Sequence, residues 1–169
     1  MNDRDTVARQ LGRPPRAFRR VAVRCPYGAP AVTEQAPYDE HGEPFPTTYY
    51  LTCPHLVAAL ARIEAWGGVE RWSAAVARHP ELAESLAVAN EEQRGLRRQL
   101  ALAGSGADAG ASLELGIGGA GRDPAQLKCL HAHAAFALAR PGYELGERIL
   151  GELDALWPAD GCCTAADGK

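Results

Sequence analysis

The chain has 169 residues, 46% of them hydrophobic and 23% charged, with a formal net charge of −3. That suits one domain with a real core, and the acidic balance argues against a chain built overall to bind nucleic acid. Residues 1–10 (MNDRDTVARQ) lack the apolar stretch of a signal peptide, and no run approaches the ~18 apolar residues of a transmembrane helix, so a cytoplasmic protein without a membrane partner is expected.

Residues 3–11 predict a short helix that stops at Gly12, followed by the stiff GRPPR link. Arg4, Arg9, Arg13, Arg16, Arg19, Arg20 and Arg24 crowd this end. They would suit a phosphate-facing arm, but with 16 Arg against 2 Lys, arginine is simply the chain's usual cation, and that reading is preferred. Residues 19–25 alternate, with Val21, Val23 and Cys25 on one face, and predict a half-buried strand. A second strand is expected over 30–36, a turn at YDEHGEP, and a third strand in which Phe45, Thr47, Tyr49, Leu51 and Cys53 share a face. A turn centred between Glu40 and His41 makes antiparallel partners sum to about 81. Cys53 then lies opposite Gly28, at the same sheet end as Cys25.

Pro54 opens a helix with the stripe Leu56, Val57, Leu60 and Ile63, stopped by Gly67 and Gly68. Further helices are predicted over 69–78 and 81–103. In the latter, Leu82, Leu86, Ala89, Leu96 and Leu100 recur at heptad-like spacing, which would serve either the chain's own core or a protein partner. GSGADAGAS (104–112) reads as a flexible link inside the domain. GIGGAGR (116–122) lacks dinucleotide-fingerprint spacing; its amides, around Gly118 and Gly119, would hold an anion or simply form a tight loop. Asp123-Pro124 predicts the start of a helix running to Ala139, and a last helix spans 144–156. The expected fold is α+β, with a small N-terminal antiparallel hairpin sheet covered by four or five helices. Residues 1–157 are expected to form one domain, and 158–169 are expected to be a disordered tail.

Three of the five cysteines sit at element ends, and Cys129 stands beside His131 and His133. In a chain with no use for structural disulfides, this points to a metal, an iron–sulfur cluster or a reactive thiol. On a helix Cys129 and His133 stand at i and i+4 and share a face, with His131 nearly opposite. Cys25, Cys53, Cys129 and one of the two histidines would form a Cys3His set for zinc or a [4Fe–4S] cluster. The three sulfurs would lie about 4 Å apart around a shared zinc, and farther apart around a cluster. Arg62, Glu64, Lys128 and Arg122 are polar groups that would complete such a site. Cys162 and Cys163 are read as part of the tail. The remaining readings are a core use of the cysteines in a non-enzymatic adaptor that binds through the 81–103 helix, and a thiol enzyme with Cys129 as nucleophile.

GRPPR (12–16), VAVRCPYGAPAV (21–32), PFPTTYYLTCPHLVAALARIE (44–64), GIGG (116–119) and KCLHAHAAFALA (128–139) resemble a bacterial family, domain of unknown function 501. The resemblance implies no activity. It implies that the segments holding Cys25, Cys53, Cys129 and His131 matter most, which favours His131 against the helix geometry. It also implies a genomic setting near cell-division and polyphosphate-phosphatase genes, from which the adaptor reading takes its cell-division or envelope context.

Overall fold

The computed structural model describes residues 2–101, 106–121, 123 and 125–164. It is an α+β fold in which helix dominates, with a three-stranded antiparallel sheet near the N-terminus and six α-helices among the described residues. Helix α1 (Asp3–Leu11) starts at Asn2, whose side chain accepts the Asp5 N–H, and ends at Gly12 with φ 68°, as the local signals dictate. The sheet follows in the order β1 (Phe18–Arg24), β2 (Pro30–Gln35), β3 (Tyr49–Leu51), so β2 is central and buried along its length.

Two strand expectations are corrected. Val32 pairs with Leu51, Thr33 with Tyr50 and Glu34 with Tyr49, an alignment two residues away from the expected one. The reversal is no tight turn at Glu40–His41. It is a long excursion closed by the Asp39 carboxylate, which accepts the His41 and Glu43 N–H groups, and by an isolated bridge between Tyr38 and Pro44. Pro44 and Pro46 have no N–H to give a ladder, and β3 begins only at Tyr49. The clean alternation of β1 is also broken. Its pairing with β2 carries three register irregularities, and the adjacent Ala22 and Val23 both pack against the core.

The helices α2 (Pro54–Ala65), α3 (Gly68–Arg78) and α4 (Pro80–Leu100) follow nearly where expected. In α4, Leu82, Leu86 and Ala89 of the heptad-like stripe are buried, Leu96 packs partly against the same core, and Leu100 is half-buried. The stretch near 104–112 is described from Gly106. There Tyr38 Oη donates to Asp108 (2.7 Å) and the Ala107 N–H to the Gly42 carbonyl (2.9 Å). Helix α5 (Leu130–Ala139) begins six residues later than the Asp123-Pro124 signal indicates. Asp123 closes only a local turn with Ala125, Pro124 lies outside the described residues, and Cys129 is extended (φ −156°, ψ 120°). Helix α6 (Glu144–Leu150) ends before Gly151, short of residue 156. No helix among the described residues is long and apolar enough to cross a membrane.

Helix α5 is the core element: Leu130, Ala132, His133, Ala134, Ala135, Phe136 and Ala137 are all buried. Its alanines let neighbours come close. A methyl group added to Gly146 of α6 would sit 2.6 Å from Ala137 Cβ and 2.6 Å from Tyr143 Cδ1. Gly146→Ala is therefore expected to lower unfolding stability by about 1–3 kcal/mol in denaturant titrations, through overpacking.

His133 is 1% exposed, with Nδ1 2.8 Å from Tyr143 Oη and no partner at Nε2 among the described residues. Burial pushes its imidazole down to about 4 from 6.5. The neutral form is thus favoured by folding, and stability is fully present above pH 6.5 and lost as pH falls through that value toward 4. The stability advantage of the wild type over His133→Gln should shrink by about 2 kcal/mol between pH 7 and pH 5, read by denaturant unfolding at each pH.

Candidate functional site

A helix buried at its start needs acceptors for its first N–H groups. Cys129 holds the N-cap position of α5 but makes no side-chain cap bond. The acceptor comes from α2 instead: Glu64 Oε1 takes the Leu130 N–H at 2.7 Å. The same oxygen lies 3.1 Å from His131 Nδ1, and Cys129 Sγ lies 3.7 Å from that nitrogen. On the other side of the ring, Nε2 is 3.0 Å from the Val57 carbonyl, one turn into α2. Ligand atoms of Glu64, Cys129 and His131 all fall within 4.8 Å of one another, and among the described residues this is the one group of its kind.

The electrostatics follow from these contacts. The bond to Cys129, the Val57 carbonyl and the Glu64 charge outweigh burial and raise the His131 pKa to about 9. With side chains 21% and 26% exposed, His131 and Glu64 stand at a rim. Cys129 and His131 line a cleft of about 570 Å³, walled also by Tyr49, Thr52, Val57 and Gly118. Gly118 has φ 71°, and a Cβ there would meet Ala132 Cβ at 3.5 Å and Cys129 Cβ at 4.0 Å; a bare glycine leaves that wall open. The glycine-rich loop has its own bonds: the Ile117 N–H goes to Asn90 Oδ1 and the Gly116 N–H to the Ala120 carbonyl. Its described amides are therefore largely spent inside the fold.

The other expected site residues are distributed differently. Cys25 and Cys53 follow β1 and β3 near one sheet end, with β2 between those strands, and Cys129 forms no three-membered cluster with them. Each sulfur instead faces the C-terminal segment: Cys25 lies 3.9 Å from Cys162, and Cys53 lies 3.6 Å from Cys163. His133 points into the core, because Cys129 is extended and not yet helical, which voids the i, i+4 geometry. His131 is the histidine beside Cys129. Arg62 borders a separate hollow with Trp66, Arg71 and Glu152, Lys128 is exposed, and Arg122 lies outside the described residues. Gly119 approaches Pro46. Sequence reasoning names Glu64 only as an auxiliary group; that it caps a helix 66 residues away has no local signal.

Removing the cap should cost stability as well as site geometry. Glu64→Ala is expected to destabilise by about 1–3 kcal/mol in urea unfolding, because it strands the buried-end N–H. Glu64→Gln keeps an acceptor for Leu130 and should lose less than half of that.

A family model described as "Protein of unknown function (DUF501)" matches residues 21–151. No curated protein and no solved structure matches the chain. The matched span holds Glu64, Cys129, His131 and the whole sheet except the first residues of β1, and it ends before Cys162. With most of its length matched, the chain belongs to the DUF501 family.

Proposed function

We propose that this protein is a metal-dependent protein that binds one divalent ion, zinc by preference, through Glu64, Cys129 and His131, with a fourth position open to the cleft. The observation that carries the reading is the orientation of His131. The Val57 carbonyl takes the Nε2 proton, which leaves the Nδ1 lone pair facing the Cys129 sulfur and the Glu64 oxygen. A backbone carbonyl behind the ring is the usual outer support of a metal-bound histidine. The spacing agrees. Tetrahedral zinc, with bonds of ~2.3 Å to sulfur and ~2.0 Å to nitrogen and oxygen, sets S···N near 3.6 Å and N···O near 3.3 Å; the contacts are 3.7 Å and 3.1 Å.

The donor set, one sulfur, one nitrogen and one oxygen, suits zinc better than a [4Fe–4S] cluster, which takes several thiolates. Three protein ligands and one open position are the pattern of a catalytic centre, at which a metal polarises a substrate oxygen or bound water. The protein's own contribution is to fix the tautomer of His131, to hold Glu64 by the Leu130 N–H, and to shape the cleft. A second reading has one supporting observation: without metal, His131 stays protonated to about 9, so Cys129 faces an imidazolium, the arrangement of a thiol nucleophile.

Calorimetric titration of chelator-treated protein with Zn²⁺ should give one site per chain. Cys129→Ser and His131→Gln should weaken it about 100-fold and Glu64→Gln about 10-fold. Equal zinc affinity in all four proteins would overturn the metal reading. Fast iodoacetamide labelling of Cys129 in a protein that binds no zinc would support the thiol reading.

A further inference from the structure

The C-terminal segment outside the family match is fastened onto the sheet. His55 Nε2 is 3.0 Å from the Ala155 carbonyl, Tyr27 Oη donates to the Pro158 carbonyl at 2.5 Å, and Gln10 Nε2 donates to Thr164 Oγ1 at 3.0 Å. This strap ends on the two sulfur contacts already described, Cys25 with Cys162 at 3.9 Å and Cys53 with Cys163 at 3.6 Å. The four sulfurs therefore stand as two pairs. They are not one quartet: no three of them lie within 4.8 Å of one another, as they would around a single zinc. In each pair one cysteine is fixed in the fold (Cys25 7% and Cys53 3% exposed) and the other belongs to the strap and is half-exposed.

We propose that Cys25–Cys162 and Cys53–Cys163 are two thiol–disulfide redox pairs, each of which forms an intrachain disulfide with a low-molecular-weight disulfide as oxidant and so locks the C-terminal strap across the sheet end. The more accessible strap cysteine of each pair attacks the oxidant as a thiolate, and one small thiol leaves. The buried cysteine then attacks the strap sulfur of the mixed disulfide and expels the second small thiol. One protein S–S bond forms, the oxidant's S–S bond is broken, and the two hydrogens lost by the protein are carried by the two small thiols. The order of attack fits the environment: burial pushes the Cys53 thiol up to about 11, which suits it to the second step, where its partner is already in contact. Each bond would tie residues far apart in sequence, 137 and 110 positions. It would also fix Thr164, whose hydroxyl holds Gln10 at the edge of the cleft. The redox state of the strap thus reaches the wall of the site that contains Cys129, whatever that site binds.

The test is peptide mapping under non-reducing conditions of full-length protein equilibrated with oxidised glutathione. The expected result is two cross-linked peptides, one joining Cys25 to Cys162 and one joining Cys53 to Cys163, each lost on reduction. Cys162→Ser should remove the first and keep the second, and Cys163→Ser the reverse; both changes are in the strap, so the core is undisturbed. A vicinal Cys162–Cys163 bond as the main product, thiols that stay reduced or only glutathionylated, or anaerobically purified protein with iron or zinc on these four sulfurs would each overturn the proposal.

Discussion

The structure depends on a helix that has no outer face. Of the ten residues of α5, seven are buried, among β3, α2 and α6. Such a helix needs small side chains along its length, which its alanines supply, and it needs partners for the backbone groups at its buried start. An unmet N–H there would cost about 1–3 kcal/mol. The sequence offers no Ser, Thr, Asp or Asn at the cap, only Cys129. The carboxylate of Glu64 fills the need from the last turn of α2, and in doing so it stands beside His131 and Cys129. The polar cluster at the cleft and the anchoring of the core helix are therefore made of the same atoms.

This explains what was legible in the sequence and what was not. Elements with local signals were readable: α1 closes at Gly12, α2 opens at Pro54, α3 and α4 meet at Pro80. Elements set by distant partners were not. The start of α5 departs from the Asp123-Pro124 signal because its cap comes from Glu64, 66 residues earlier. The strand register slipped because the excursion between β2 and β3 has its own closure at Tyr38 and Pro44. Of the candidate ligands, Cys129 and His131 were in view, and the family resemblance already favoured His131. Cys25 and Cys53 face Cys162 and Cys163 instead, and strand periodicity carries no information on a contact made by a segment more than 100 residues away.

Four of the seven N-terminal arginines have carboxylate partners within the fold. Arg16 pairs with Asp39, Arg19 and Arg20 with the buried Glu34, and Arg24 with Asp3. Exposed pairs of this kind add little stability, but they leave those four guanidinium groups with carboxylate partners, at odds with a phosphate-binding arm. Arg97 is different. It is fully buried, and its Nε and Nη1 reach the Ser112 and Phe45 carbonyls at 3.2 Å and 3.0 Å. It joins α4 to the excursion before β3 and to the turn after residue 110, and burial lowers its pKa. A single long cation thus ties together α4, the excursion before β3 and the short 3-10 turn at Ala111–Glu114.

The two histidines of α5 show how position alone divides chemistry. They are two residues apart, so their side chains leave the helix on nearly opposite sides. His133 goes into the core, where burial holds it neutral down to about 4 and its Tyr143 neighbour is pushed further from ionisation. His131 goes to the rim, where a sulfur, a carboxylate and a carbonyl keep it protonated up to about 9. The acceptors that hold that proton at Nδ1 are the atoms that would hold a cation in its place, whereas His133 has no anionic group beside it and an Nε2 with no partner among the described residues. A thiolate–imidazole pair built on Cys129 and His133 would have needed a charged sulfur inside an apolar helix packing, at a cost the core cannot offset. At the helix end that cost is avoided, because the open cleft admits solvent, the helix-start N–H groups favour an anion and the Glu64 carboxylate favours the imidazolium.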